Sequence, residues 1–152
     1  MFRKSGDVIV EAVISPTGEV VKFKNEFNQV VGMEQPYLGQ VFSHEKLSIY
    51  VVDGPYVRRT YSMDFNVGGH GFVYDFIPKD EVWLDSSVEE RELQFSLVHE
   101  LVERTMMMDE HNPQDYETAH RQANTIELEL RKENVPQKVE STLCTLIEAA
   151  IK

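Results

Sequence analysis

The stretch SLVHELVER, residues 96–104, decides how the chain is read. His99, Glu100 and Glu103 fill the first, second and fifth places of the metal-binding pattern His-Glu-x-x-His, except that the fifth residue is a carboxylate. The stretch is either a metal-holding helix with one ligand exchanged or a helix whose polar face imitates one. On a wheel of 100° per residue, Glu92, Ser96, His99 and Glu103 share one narrow sector, with Glu100 at its margin. Phe95, Val98, Val102 and Met106 flank that sector, and Leu93, Leu97 and Leu101 cover much of the rest. A helix apolar over most of its circumference belongs in a core. Ser87-Val88-Glu89-Glu90 has the form of a capping box and predicts the helix start, with an end near Asp109.

Toward the carboxyl end, Asn112-Pro113 reads as an N-cap followed by a first-turn proline, opening a second helix that runs to about Glu133. Tyr116, His120, Asn124 and Glu127 share one of its sectors, beside Ala119, Ala123, Ile126 and Leu130. The alanines allow close approach to a neighbouring helix. Asn134 and Pro136 break the pattern, and a third helix follows through Val139, Leu143, Leu146, Ile147 and Ala150.

Toward the amino end, residues 8–85 are β-rich. DVIVEAVI breaks at Ser15-Pro16-Thr17-Gly18, and GEVVKFKNEF follows with Val21, Phe23 and Phe27 on alternate positions, as in a hairpin. LSIYVVD closes at Asp53-Gly54-Pro55, then come YVRRTYSMDF and the flexible Gly68-Gly69-His70-Gly71. FVYDFI and EVWLD read as two short strands around Pro78-Lys79-Asp80. With no internal repeat or long linker, the pattern predicts one α+β domain over residues 1–152. A mostly antiparallel sheet over 8–85 is followed by three helices over 87–152.

Composition excludes several classes. A chain of 152 residues, 41% hydrophobic and 27% charged, can bury a real core. Its formal net charge of -11 argues against non-specific nucleic-acid binding, which needs clustered Lys and Arg. Arg58 and Arg59 read as strand or loop residues facing water. No apolar run approaches the ~20 residues of a membrane span, and the amino terminus lacks a signal-peptide pattern. The lone Cys144, among apolar helical neighbours, reads as a buried structural thiol in a reducing compartment. A cytoplasmic location is expected.

The chemistry rests on spacing. A catalytic zinc takes three protein ligands and keeps a fourth position for water. His99 and Glu103, at i and i+4, stand one above the other on a helix and can share a cation. His120, on the next helix, is the candidate third ligand. The set is two imidazoles and one carboxylate, with His and Glu exchanged along the chain relative to the order His, His, Glu. Glu100 occupies the place of a general base. Tyr116, one turn before His120, can donate to an oxyanion, and Glu127, two turns after it, can orient a ligand. His70, in its glycine-rich loop, can approach the open side.

Three blocks, GGHGFVYDFIPKDEVWLD, HELVERTMMM and YETAHRQANTIE, together resemble a group of uncharacterised metallopeptidase-like proteins of phages, mobile elements and microbial genomes. These look like minimal zincins, with a small sheet, an active-site helix and a second helix bearing a Tyr-x-x-Ala-His element. The resemblance covers roughly residues 42 to 131. It implies a metal-dependent hydrolase fold, with His99, Glu103 and His120 as candidate ligands, Glu100 as candidate base and the strand Glu81–Asp85, which leads into the helix, as the edge that in zincins pairs with a peptide. The function read from the residues and the resemblance together is a metal-dependent hydrolase, a zinc peptidase acting on a peptide or protein. If the chain is phage-encoded, the expected compartment is the host cytoplasm. The alternative is a non-catalytic binding or assembly protein that keeps the zincin-like fold.

Overall fold

The computed structural model describes residues 11–14, 20–24 and 34–152. β1 (Glu11–Ile14) and β2 (Val20–Lys24) form an antiparallel hairpin, as the sequence predicts. The turn read at residues 15–18, the start of the first strand at 8–10 and Phe27 lie outside the described residues.

The main sheet comprises β3 (Tyr37–Ser43), β4 (Ser48–Val52), β5 (Gly68–His70) and β6 (Glu81–Asp85), in the order β3-β4-β6-β5. β3–β4 and β5–β6 are antiparallel, whereas β4–β6 is parallel, so the sheet is mixed. In β4, Ile49 and Val51 face one side while Tyr50 and Val52 face the other; in β6, Val82 and Leu84 oppose Trp83. This period of two, apolar on both faces, marks central strands. β6 is therefore interior, not the edge the sequence predicts. The edge beside the helices is the short β5.

Two further readings are corrected. YVRRT is helical, and the rest of YVRRTYSMDF is turn: α1 (Gly54–Thr60) starts where Asp53 accepts the Tyr56 amide at 3.1 Å and Pro55 pre-sets the first turn. Arg58 and Arg59 sit in its last turn, and Arg58 pairs with the buried Asp85 at 2.6 Å. FVYDFI forms turns rather than a strand, because Gly68–His70 takes the pairing along β6.

α2 (Glu90–Met108) is the central helix. Leu93, Leu97 and Leu101 are fully buried against Ile49, Val51, Val82 and Leu84. The capping box is not formed. Asp85 captures the Ser87 amide at 2.8 Å, and the helix begins three residues later with Glu89 as an N-cap that makes no side-chain cap bond. α3 (Tyr116–Glu133) likewise starts later than Asn112-Pro113. Asp109 takes the amides of His111 and Asn112, and Asp115 caps the Thr118 amide at 2.8 Å. Buried Ala119 and Ala123 bring α3 close to α2. Asn134, in the left-handed region at φ 52, ends α3. α4 (Pro136–Ala150) covers the same core through Val139, Leu143 and Ile147, with Cys144 only half-buried. Four helices are present among the described residues, and none is long and apolar enough to cross a membrane.

One buried charge fixes α2 lengthwise. Arg104, 2% exposed, donates through Nη2 to the Lys79 carbonyl at 2.8 Å and the Lys46 carbonyl at 3.4 Å. Its Nη1 is buried without a hydrogen-bond partner among the described residues.

Candidate metal centre

α2 and α3 bring three sequence-predicted ligands together. His99 Nε2 lies 3.2 Å from Glu103 Oε2 and 3.2 Å from His120 Nδ1, and His120 Nδ1 lies 2.8 Å from Glu103 Oε2. Ligands around a tetrahedral zinc, with bonds of about 2.0–2.1 Å, stand about 3.3 Å apart. The triangle is close to that size.

The hydrogen bonds around the triangle explain its chemistry. His99 Nδ1 lies 3.1 Å from Glu127 Oε1. In the neutral ring, a proton on Nδ1 leaves a lone pair on Nε2, aimed at a carboxylate oxygen that also carries lone pairs. Two acceptors face each other unless a cation, a proton or a metal, lies between them. A carboxylate behind an imidazole is the usual support of a metal-bound histidine. Glu127 is itself held at 2.8 Å by Arg131, which also pairs with Glu92 at 2.6 Å. Glu127 and Arg131 are i and i+4 on α3, whereas Glu92 joins them from α2.

Charge follows from this packing. Burial pulls the His99 imidazolium down, but the bonds to Glu103 and Glu127 outweigh it and lift its pKa to about 10. Burial pushes Glu103 up, yet bonds to His70, His99 and His120 bring it to about 2. Glu100 has no such partners, and burial, with the Glu103 charge beside it, lifts its carboxyl to about 8. Its Cγ lies 3.5 Å from where a Cβ on Gly68 would sit, which places Glu100 against the backbone of β5.

The other predicted residues are also near. The Tyr116 hydroxyl lies 3.3 Å from His120 Nδ1, with the rings stacked at 5.1 Å. His70 does not sit in a flexible loop at the open side. It is fully buried on β5, with Nε2 2.9 Å from Glu103 Oε1. Strand pairing with β6, not local propensity, places it there.

A cavity of about 480 Å³ opens over the triad, with Glu100 and Tyr74 on one wall and Tyr116 at its mouth. The sequence gave no signal for one rim feature. Val67 has φ 68, and the Gly68 amide donates to the Asn66 carbonyl at 2.7 Å, a tight three-residue turn rare for a β-branched residue. Beyond it, the Asp85 amide donates to the Val67 carbonyl at 2.9 Å. The alternation of an antiparallel ladder then turns the Gly68 carbonyl and the His70 amide away from β6.

Comparison with protein-family models, with curated proteins and with solved structures found no match to this chain. The donor set therefore rests on its own geometry: buried His and Glu groups able to hold a metal ion.

Proposed function

We propose that the chain is a zinc-dependent peptidase of zincin-like design, acting on a peptide or protein in the cytoplasm. The observation that carries this reading is the closed triangle of His99 Nε2, Glu103 Oε2 and His120 Nδ1, with Glu127 behind His99 and a cavity in front. Two imidazoles and one carboxylate suit Zn²⁺, and three protein ligands leave a position for water. The ion would supply Lewis acidity, lowering the pKa of an adjacent water toward ~7.

The chain's own groups do the rest. Glu100, buried beside β5 and favoured as the carboxylate once a cation occupies the neighbouring triad, would accept the water's proton as its oxygen bonds to the scissile carbonyl carbon, and return that proton to the amine as the C–N bond breaks. The Tyr116 hydroxyl is within reach to donate to the carbonyl oxygen as charge builds there.

The test is zinc content of untagged protein, followed by hydrolysis of a mixed peptide library by wild type and by Glu100→Gln. The reading expects about one zinc per chain, cleavage by wild type, and a loss on the order of 10²–10⁴-fold in the variant with zinc retained. Protein that takes up no zinc, or cleavage equal in the two forms, would refute it.

A further inference from the structure

Two groups of ligand-type atoms lie side by side: His99, Glu103 and His120, and His70, Glu100 and Glu103, each gathered within 4.8 Å. Glu103 belongs to both, with Oε2 toward His99 and His120 and Oε1 toward His70. A carboxylate shared in this way could bridge two metal ions about 3.5–4 Å apart. The bonding of His70 decides against that arrangement.

The Phe72 amide donates to His70 Nδ1 at 3.2 Å. A backbone N–H can only donate, so Nδ1 presents its lone pair and Nε2 carries the proton. That proton points at Glu103 Oε1, 2.9 Å away. To bind a metal through Nε2 the neutral ring would need its proton on Nδ1, donor against donor with Phe72, at a position with no access to water. The fully buried ring follows a tightly held backbone. A Cβ on the next residue, Gly71, would lie 2.6 Å from the Ile77 and Pro78 carbonyl oxygens, and Lys79 Nζ holds the Gly71 carbonyl at 2.9 Å.

We infer that His70 is a positioning residue that donates to Glu103, making this carboxylate a one-oxygen ligand of a single metal ion. The inference rests on the metal reading above and says why a glutamate serves in the fifth place. A carboxylate has two oxygens and can swing between one- and two-oxygen binding. Fixing Oε1 on a rigid donor removes that freedom and leaves Oε2 directed at the two imidazoles. The edge strand thereby sets the orientation of a ligand carried by α2.

The experiment is zinc titration with chelator competition on wild type, His70→Leu and His70→Gln, with the thermal midpoint of each metal-free protein as the check on folding. Gln places an amide N–H about where Nε2–H stood; Leu does not donate. Expected are one zinc per chain in wild type, a 10–100-fold weaker but still single site in His70→Leu, and affinity within about threefold of wild type in His70→Gln. A purely structural role would not be rescued by the amide. Wild-type and His70→Leu affinities that agree would overturn the inference and leave the metal reading standing. Two zinc ions in wild type, one of them lost in His70→Leu, would make His70 a ligand and overturn it as well. A wild type that binds no zinc overturns both. If His70→Leu does not fold, the wild-type stoichiometry and the Gln variant still decide, because two ions, or a Gln variant weakened as far as 10–100-fold, contradict the donor role.

Discussion

Replacing His120 by alanine separates metal binding from folding. Its side chain is 40% exposed, and its contacts are the bond to Glu103 Oε2 at 2.8 Å, the edge-on His99 ring at 4.8 Å and the stacked Tyr116 ring with its hydroxyl. A half-exposed hydrogen bond and such ring contacts contribute about 1–2 kcal/mol. For a chain of this size each kcal/mol shifts the thermal midpoint by about 2–4 °C, so the metal-free variant should melt roughly 2–8 °C below wild type. Zinc at 100 times its Kd should stabilise wild type by about 2.7 kcal/mol, or roughly 5–11 °C. Losing one of three ligands should weaken binding by at least about 100-fold, leaving the variant no more than about 0.4 kcal/mol of stabilisation at the same zinc concentration. Differential scanning fluorimetry with and without zinc, after chelator treatment, reads both effects. Equal zinc-induced shifts in the two proteins would refute the placement of His120 in the site. A collapse of the metal-free variant would refute the claim that His120 matters little for folding.

Three further outcomes follow from the same coordinates. Gly54→Ala would put a Cβ 2.0 Å from Asp85 Oδ1, dislodging the buried Arg58–Asp85 pair, and should cost about 3 kcal/mol in urea denaturation; a cost below about 1 kcal/mol would contradict it. Val67→Gly should relieve about 1–3 kcal/mol of backbone strain at φ 68 against about 0.5–1 kcal/mol of added chain entropy, raising the midpoint by a few degrees; a lowered midpoint would contradict it. In chelator-treated protein, Glu100 keeps its proton in the fold up to about 8 while the unfolded chain loses it at 4.5. Stability should therefore fall as pH rises through that window, by up to about 1.4 kcal/mol per unit. His99, raised from 6.5 to about 10, acts in the same sense, its contribution being complete below 6.5 and lost as pH rises through 10. Glu103, lowered from 4.5 to about 2, acts oppositely and only below 4.5. Urea midpoints that hold level or rise from pH 5 to 8, or a Glu100→Gln variant with an undiminished slope, would refute this.

The triad was legible in sequence because helical period is rigid. His99 and Glu103 must share a face once residues 90–108 are helical, and Tyr116, His120 and Glu127 follow by the same rule on α3. The β half was less legible. Asp53-Gly54-Pro55 closes a strand and caps a helix with the same residues, and the Val57, Tyr56 and Tyr61 side chains suit either outcome. Gly68–His70 has almost no strand propensity; its pairing is set by β6, with a Cβ at Gly68 barred by the Trp83 carbonyl and one at Gly69 by the Tyr74 ring, which a sequence does not display. The same gap hid which strand is the edge, and with it the burial of His70. Both helices start later than expected: Asp85 takes the Ser87 amide, and Asp109 takes those of His111 and Asn112, which holds the expected N-caps in turns ahead of the helices.

The buried guanidinium of Arg104 has a mechanical consequence. Lys46 immediately precedes Leu47 and β4, and Lys79 stands two residues before β6, so one side chain of α2 is keyed to the entry points of both parallel strands. A slip of the helix by one turn, 5.4 Å, would leave a buried cation facing no carbonyl at all. Two of the three candidate ligands ride on that helix, one residue and five residues before the key. Turn length at residues 44–47 and 78–80 thus becomes a parameter of the candidate metal centre. A single inserted residue there, remote from the cavity, would be transmitted along a rigid rod to the spacing of the triad against β5.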